Sequence, residues 1–329
     1  MKKNHQDLVS IVLPVYNEEA NVETAYAALL EVIETIDDCQ FEFIFTDNHS
    51  QDRTYELLAA LADKDKRVRV LRFNRNYGFQ RSLMSGYRLA KGDAVVQIDC
   101  DLQDPPELIA EFIKLWRQGH DVVVGIRKNR KENRLLSFGR RCFYALIDYV
   151  ADEKIPRDAG DFRLIDRSVL NKLVHLNDVN PYIRGLSSAF STNETGIPFE
   201  RRKRMAGESK FPLRRLLKLA SDGVFSLTLF PLRLAGHVSL LVSLITCCLG
   251  AYYLISALFF GADWPSGFAT LVLLLLFSIG LNGTFLAIMG KYLGQMFLQQ
   301  QNRPYIVIQN SLNVEADEIG HVESSRRGP

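Results

Sequence analysis

Residues 94–107 read AVVQIDCDLQDPPE, an apolar run that ends in two aspartates one residue apart, followed by a Pro-Pro-Glu helix start. The run has the composition of a strand buried on both faces. Similar runs lie at residues 9–14, 41–46, 68–73 and 122–126, and 94–99 completes the set. Between them, residues 20–36, 54–62, 79–90 and 105–116 carry apolar positions near helical spacing. Apolar strands alternating with helices predict an α/β domain, a Rossmann-like and mostly parallel sheet covered on both sides.

Ligands of such sheets sit beyond the carboxyl ends of the strands. Asp99 and Asp101 occupy such an end. On an extended segment, residues i and i+2 point the same way, so the two carboxylates are expected to form a hard-oxygen site for Mg²⁺ or Mn²⁺ that can hold a diphosphate. Gln103 could add a carbonyl oxygen. Helix capping is the competing use of these carboxylates, and Asp104, ahead of Pro105, Pro106 and Glu107, is expected to fill it. Asp47 also follows a buried run and suits either a base N–H or a cap or turn, a role for which Ser50 and Asp52 compete. Asp161 follows Gly160 and stands two residues before Arg163, where an ion pair with a neighbouring arginine competes with a catalytic role. His49 and His175 have no partner at ligand spacing. No P-loop, dinucleotide, nucleophile-elbow or zincin motif is present.

The chain has 329 residues, with 40 Lys and Arg against 38 Asp and Glu, so the net charge of +2 argues against bulk nucleic-acid binding. A hydrophobic fraction of 47% excludes a disordered chain. The apolar residues are unevenly spread. No Lys, Arg, Asp or Glu occurs in 234–262 or in 264–290, and each stretch exceeds the roughly 20 residues a bilayer core needs. A two-span hairpin is expected at about 234–260 and 266–290. Basic residues crowd 201–218 before it, so both termini are expected on the cytoplasmic side of the plasma (inner) membrane. The organisation expected is a catalytic domain at 1–211, an interfacial amphipathic helix at 212–232, membrane helices within 233–292, and a cytoplasmic tail at 293–329. From Ser311 the tail is acidic and polar and is expected to be poorly ordered. The run after Lys2 and Lys3 reads as a buried first strand rather than a signal peptide. Five scattered cysteines predict free thiols.

Three motifs then combine: SIVLPVYNEE at 10–19, Asp47-Asn-His-Ser50-x-Asp52-x-Thr54, and DCDLQDPPE at 99–107. Together they resemble the family 2 glycosyltransferases of GT-A fold. With Gly160-Asp161-Phe-Arg163-Leu164, Gly207-Glu-Ser209-Lys210 and the two-span hairpin, the chain resembles the polyprenyl-phosphate branch, which holds bactoprenol glucosyltransferases and dolichyl-phosphate mannose synthases. The resemblance runs from about residue 8 to 305. It implies that Pro14, Tyr16, Glu18 and Asp47 line the nucleotide pocket. Asp99, Asp101 and Gln103 would bind the metal, with Cys100 contributing backbone nearby. Arg127 would meet the donor diphosphate or the acceptor phosphate, Arg134 and Ser137 the acceptor phosphate, and Arg204 and Lys210 would close over the diphosphate. Asp161 matches the family's loop carboxylate.

The implied reaction is inverting transfer of a hexose from a nucleotide sugar, UDP-linked and glucose-like, to polyprenyl (undecaprenyl) phosphate at the membrane. Relatives suggest a homo-oligomer. Two other readings stand beside it. A processive polysaccharide synthase lacks its Q-x-x-R-W here and would need more spans, while a nucleotide-sugar-binding membrane adaptor would bind without turnover. The family often reads D-D-G-S where this chain has Asp47-Asn48-His49-Ser50, so His49 is expected to take the left-handed turn that Gly takes elsewhere.

Overall fold

The computed structural model describes residues 6–128, 159–176, 181–202, 267–300 and 306–323, together with scattered positions between 232 and 259. The expected sites Arg134, Ser137, Arg204 and Lys210 and the expected interfacial helix at 212–232 lie outside the described residues, apart from Leu232. The described residues divide into two compact units. One draws on 1–148, 153–212 and 302–329, and the other on 149–152 and 213–301.

The first unit opens with β1 (Asp7–Val15), α1 (Val22–Ile33), β2 (Cys39–Asp47), α2 (Thr54–Lys64), β3 (Val68–Phe73), α3 (Phe79–Leu89), β4 (Ala94–Gln97), α4 (Leu108–Arg117) and β5 (Val122–Lys128). After an undescribed stretch come β6 (Ala159–Asp166), α5 (Arg167–Val174), α6 (Ile183–Phe190) and β7 (Glu194–Glu200). The eight-stranded sheet runs β7-β5-β6-β4-β1-β2-β3-β8, where β8 is Ile308–Leu312. Pairings β1–β2, β1–β4, β2–β3 and β5–β7 are parallel, and β6 enters antiparallel between β4 and β5. The α/β, mostly parallel sheet expected from the sequence is the one observed.

Strand residues alternate between two cores. Val9, Ile11, Leu13 and Val15 of β1 face a cluster with α1, α2 and α4, whereas Val12 joins Ile44, Leu71 and α3 on the opposite side. Each such side chain, fully buried, contributes about 1.5–3 kcal/mol over exposure. Helix α3 lies hard against β1: a Cβ on Gly86 would sit 2.4 Å from Val12 Cγ1. Only glycine allows that approach.

The tail departs from expectation. Instead of fraying after Ser311, it forms β8 antiparallel to β3 and then α8 (Ala316–Glu323). Polar contacts hold it where apolar bulk is scarce. Asn313 donates 2.8 Å bonds to the carbonyls of Ala62 and Val68. Glu318 accepts from Arg69 Nη2 at 2.7 Å and meets Lys91 Nζ at 2.6 Å. Val322 and Ile306 are fully buried. The strand covers what would otherwise be the open edge of β3.

In the second unit, α7 (Phe268–Gln300) is 33 residues long, and Leu271, Leu274, Leu275, Phe277 and Leu286 are more than half exposed. Counted over the described residues, no helix is long and apolar enough to cross a membrane. The side chains of Val272, Leu273 and Leu276 lie outside that count. The stretch expected to form the first span is described only at scattered positions.

Candidate active site

The loops leaving β1 and β2 are stitched together at the carboxyl edge of the sheet. Asn17, in a left-handed conformation (φ 55°), donates its N–H to Ser50 Oγ at 2.9 Å, and its own side chain accepts from Gln51 N at 2.8 Å. Glu18 N donates to Thr54 Oγ1, and Glu19 N to Asp52 Oδ2. This accounts for the spacing Ser50-x-Asp52-x-Thr54: each polar residue satisfies one amide of the opposite loop. The loop after β3 joins through Asn48 Oδ1, which accepts from Tyr77 N at 2.8 Å, and His49 Nδ1, 3.1 Å from the Phe73 carbonyl. His49 has φ 65°, the left-handed turn expected of it.

Asp47 lies at the floor of this corner, fully buried. Its Oδ1 accepts from Ser50 N, while Oδ2 has no hydrogen-bond partner and lies 3.6 Å from Arg72 Nε, itself unpartnered. The Arg72 guanidinium stacks 4.4 Å over the Tyr55 ring. Pro14 and Glu18 are half-buried and Tyr16 is 44% exposed, all on the β1 side of the same corner. Glu18 accepts from Asn21 Nδ2 at 2.6 Å.

Past β4 the geometry corrects the expectation. The strand stops at Gln97, and residues 100 and 101 form a turn, so Asp99 and Asp101 are not consecutive same-side positions of an extended segment. Leu102 has φ 52°, and Asp101 Oδ1 accepts from Gln103 N at 3.1 Å. The Cys100 side chain is buried in the apolar core. Burial, with the charges of Asp161, Asp104 and Asp101, pushes the Asp99 carboxyl up to about 7, and Arg127 only partly offsets it. Among the described residues no three His, Cys, Asp or Glu side chains form a metal-binding group. The donor set here is two carboxylates and one amide.

Asp104 does not cap α4. That helix begins at Leu108 with Glu107 in the cap position and no side-chain cap bond. The Asp104 side chain is fully buried, with Arg127 Nη2 3.1 Å from Oδ2 and Arg201 Nε 3.6 Å from Oδ1. The end of β7 is tied to the same turn, since Arg202 N donates to the Gln103 carbonyl at 3.0 Å.

Asp161, on β6, is gripped by Arg184 of α6: Nε donates to Oδ1 at 2.6 Å, and Nη2 donates to Oδ2. Burial alone would raise this carboxyl, but the Arg184 bonds and the charges of Arg184, Arg163 and Arg127 hold it below its ordinary value. Arg163, the ion-pair partner the sequence offered, instead points into the core. It is 1% exposed and donates to Ser187 Oγ and to the Gly160 and Arg184 carbonyls.

The structure thus brings Asp99, Asp101, Gln103, Asp161 and Arg127 to one region of the sheet's carboxyl edge, and Pro14, Tyr16, Glu18 and Asp47 to the adjoining corner. The sequence reading missed Arg184, Arg201 and the use of Asp104. A weak signal existed for Arg184, a lone cation ahead of Gly185 at a helix start. Arg201 was hidden among the other basic residues of 201–204.

Residues 10–174 match Glycosyl transferase family 2. The chain is 36% identical over 310 residues to the uncharacterized glycosyltransferase YkcC of Bacillus subtilis, covering 93% of this chain and 94% of that one. It is 34% identical over 304 residues to the bactoprenol glucosyl transferase of Shigella phage SfII, covering 92% and 98%. Among solved structures, glucosyl-3-phosphoglycerate synthase of Mycobacterium tuberculosis superposes with a TM-score of 0.47 at 19% identity, over 67% of this chain and 78% of that one. With an α/β sheet that gathers carboxylates at its carboxyl edge, and near full-length identity above 30% to named glycosyltransferases, this chain is a glycosyltransferase and belongs to family 2.

Proposed function

We propose that this glycosyltransferase moves a hexose from a nucleotide sugar, UDP-linked and glucose-like, to polyprenyl (undecaprenyl) phosphate at the cytoplasmic face of the plasma membrane, inverting the anomeric centre. The observation that carries the reading is the state of Asp161. Its carboxylate is already engaged by two Arg184 donors and held ionised, which makes it a poor general base. A sugar hydroxyl acceptor would need a strong base. A phosphate monoester does not, because with a second pKa of about 6 it is an oxyanion at neutral pH. The bactoprenol glucosyl transferase of Shigella phage SfII, similar over 92% of this chain, supports the same acceptor class by its name.

In this reading the stitched corner around Asp47 holds the base, and its unpartnered Oδ2 accepts from a base N–H. Asp99, Asp101 and Gln103 are the residues that would hold Mg²⁺ or Mn²⁺. Their hard-oxygen chemistry fits such an ion, and an Asp99 carboxyl driven upward by burial and by three like-charged neighbours would be relieved by a cation. When bound, the ion neutralises charge on the departing diphosphate. Arg127 faces the same charge, and Asp161 with Arg184 orients the acceptor phosphate. Arg134 and Ser137 would add contacts to that phosphate, and Arg204 and Lys210 would close over the diphosphate. The stretches 234–260 and 266–290 would hold the enzyme in the bilayer where its lipid acceptor resides.

The test is a transfer assay on the full chain in detergent with undecaprenyl phosphate, Mg²⁺ or Mn²⁺ and labelled UDP- and GDP-sugars. Label entering the organic phase, lost with EDTA and in Asp101→Ala, is expected. Label that appears only with a hydroxyl acceptor, or in no fraction at all despite nucleotide binding, overturns the reading.

A further inference from the structure

Two guanidiniums approach one buried carboxylate beside the acidic turn. Arg127 leaves the end of β5 and Arg201 follows the end of β7. The two strands are parallel neighbours, with Arg127 opposite Phe199. Like charges brought this close repel, and Arg201 carries the mark of it: burial and the Arg127 charge lower its pKa against the pull of Asp104, Asp101 and Asp99. Asp104 is the compensating anion, fully buried between them.

The compensation is incomplete. Asp104 Oδ1 makes no hydrogen bond and lies 3.6 Å from Arg201 Nε, and Arg127 Nε is buried without a partner. Among the described residues Arg201 forms no second close ion pair, and a third of its side chain is exposed. Gly160 leaves room for the Arg127 guanidinium, since a Cβ there would come within 3.2 Å of Nε. The result is a pair of forks with spare N–H donors and a net charge of +1, set against a turn whose carboxylates repel anions unless something holds them there. Planar forks with open donors match tetrahedral oxyanions.

We propose that Asp104 is a positioning residue that holds Arg127 and Arg201 side by side as a receptor for a phosphate group, and that Arg201 is a phosphate-binding residue of this enzyme. The identity of that phosphate rests on the function proposed above: it belongs to the nucleotide diphosphate or to the phosphate monoester of the lipid acceptor. A merely structural Asp104 would neutralise buried charge and leave Arg201 dispensable.

The experiment measures direct binding to the full chain in detergent, without turnover. The probes are UDP, uridine and geranylgeranyl phosphate, applied to the native protein and to Arg201→Gln, Arg201→Lys, Asp104→Asn and the double variant Asp104→Asn/Arg201→Gln. Arg201→Gln is expected to weaken UDP or geranylgeranyl phosphate at least about tenfold, with an unchanged melting temperature and unchanged uridine affinity. Arg201→Lys should recover part of the loss. Asp104→Asn should weaken the same ligand, and the double variant should be no weaker than the worse single one. A loss on UDP assigns the pair to the donor, and a loss on geranylgeranyl phosphate alone assigns it to the acceptor. Affinities within twofold of native for both phosphates in Arg201→Gln, or losses in the two single variants that simply multiply, overturn the proposal. If Asp104→Asn fails to fold, the two Arg201 variants decide the matter alone. Because no step requires transfer, a failed transfer assay leaves this result standing, and the reverse also holds.

Discussion

Two aspartates at opposite ends of the same sheet have opposite fates. Asp121 precedes β5 and receives four donors: the Ser191 hydroxyl, the Thr192 hydroxyl at 2.8 Å, and the backbone amides of Thr192 at 2.7 Å and Asn193 at 3.1 Å. Burial raises its carboxyl, but these donors outweigh burial and bring it down to about 2. Asp99 lies past β4, half-buried, and among the described residues no donor hydrogen-bonds it. Burial and three neighbouring carboxylates bring it up to about 7. The fold has the means to satisfy a carboxylate and uses them at the amino edge. At the carboxyl edge Asp161 receives two Arg184 donors, but Asp99 receives none among the described residues, and its carboxyl is the one driven upward.

The sharpest way to break this contrast is to remove one charge from each end. Asp101→Ala should lower transfer at least about 100-fold while leaving the melting temperature unchanged or slightly higher, because it relieves like-charge crowding. A large loss of stability would mean the turn is structural. Asp121→Ala should do the reverse, costing about 1–3 kcal/mol in denaturant unfolding with turnover per folded molecule unchanged.

The two groups also predict opposite pH responses, read with EDTA present. The folded value of Asp121 lies below its unfolded value of about 4, so its contribution is present above pH 4 and lost as pH falls toward about 2. The folded value of Asp99 lies above its unfolded value. Its penalty is therefore absent below about pH 4, grows as pH rises, and is complete above about 7. Asp99→Asn should melt higher than the native protein at pH 8 and alongside it at pH 4. Equal melting at both would show that Asp99 is not crowded. The smallest effect is expected outside the contrast. Glu318→Gln should cost about 1 kcal/mol, because Arg69 keeps its 2.8 Å pairing with Glu42.

Much of this is legible in the sequence. The alternation of apolar strands and helices gave the sheet, because burial on both faces leaves a plain mark in sequence. The left-handed His49 could be read from its place in the motif. Where structure and sequence expectation part, the residues are charged and their partners lie far off in sequence. Asp104 resembled a cap because Pro105, Pro106 and Glu107 follow it, yet its partners are Arg127 and Arg201, 23 and 97 positions away. The tail reads as poorly ordered because little in it is apolar, while the cations that hold it, Arg69 and Lys91, lie over 200 residues upstream. Ion pairs leave no periodicity, and a single chain offers no other trace of them.

The return of β8 to the edge of β3 also sets an order of events during synthesis. Strand β3 is complete once residue 73 has emerged, but its covering strand begins at residue 308. Until residues 308–312 have been made, that edge stands open, a template for pairing with other nascent chains. A product terminated early, anywhere before residue 308, would keep it open permanently. Closure of the sheet therefore waits on residues 308–312, and fragments that end before them should be the forms of this enzyme most readily recognised by chaperones and proteases.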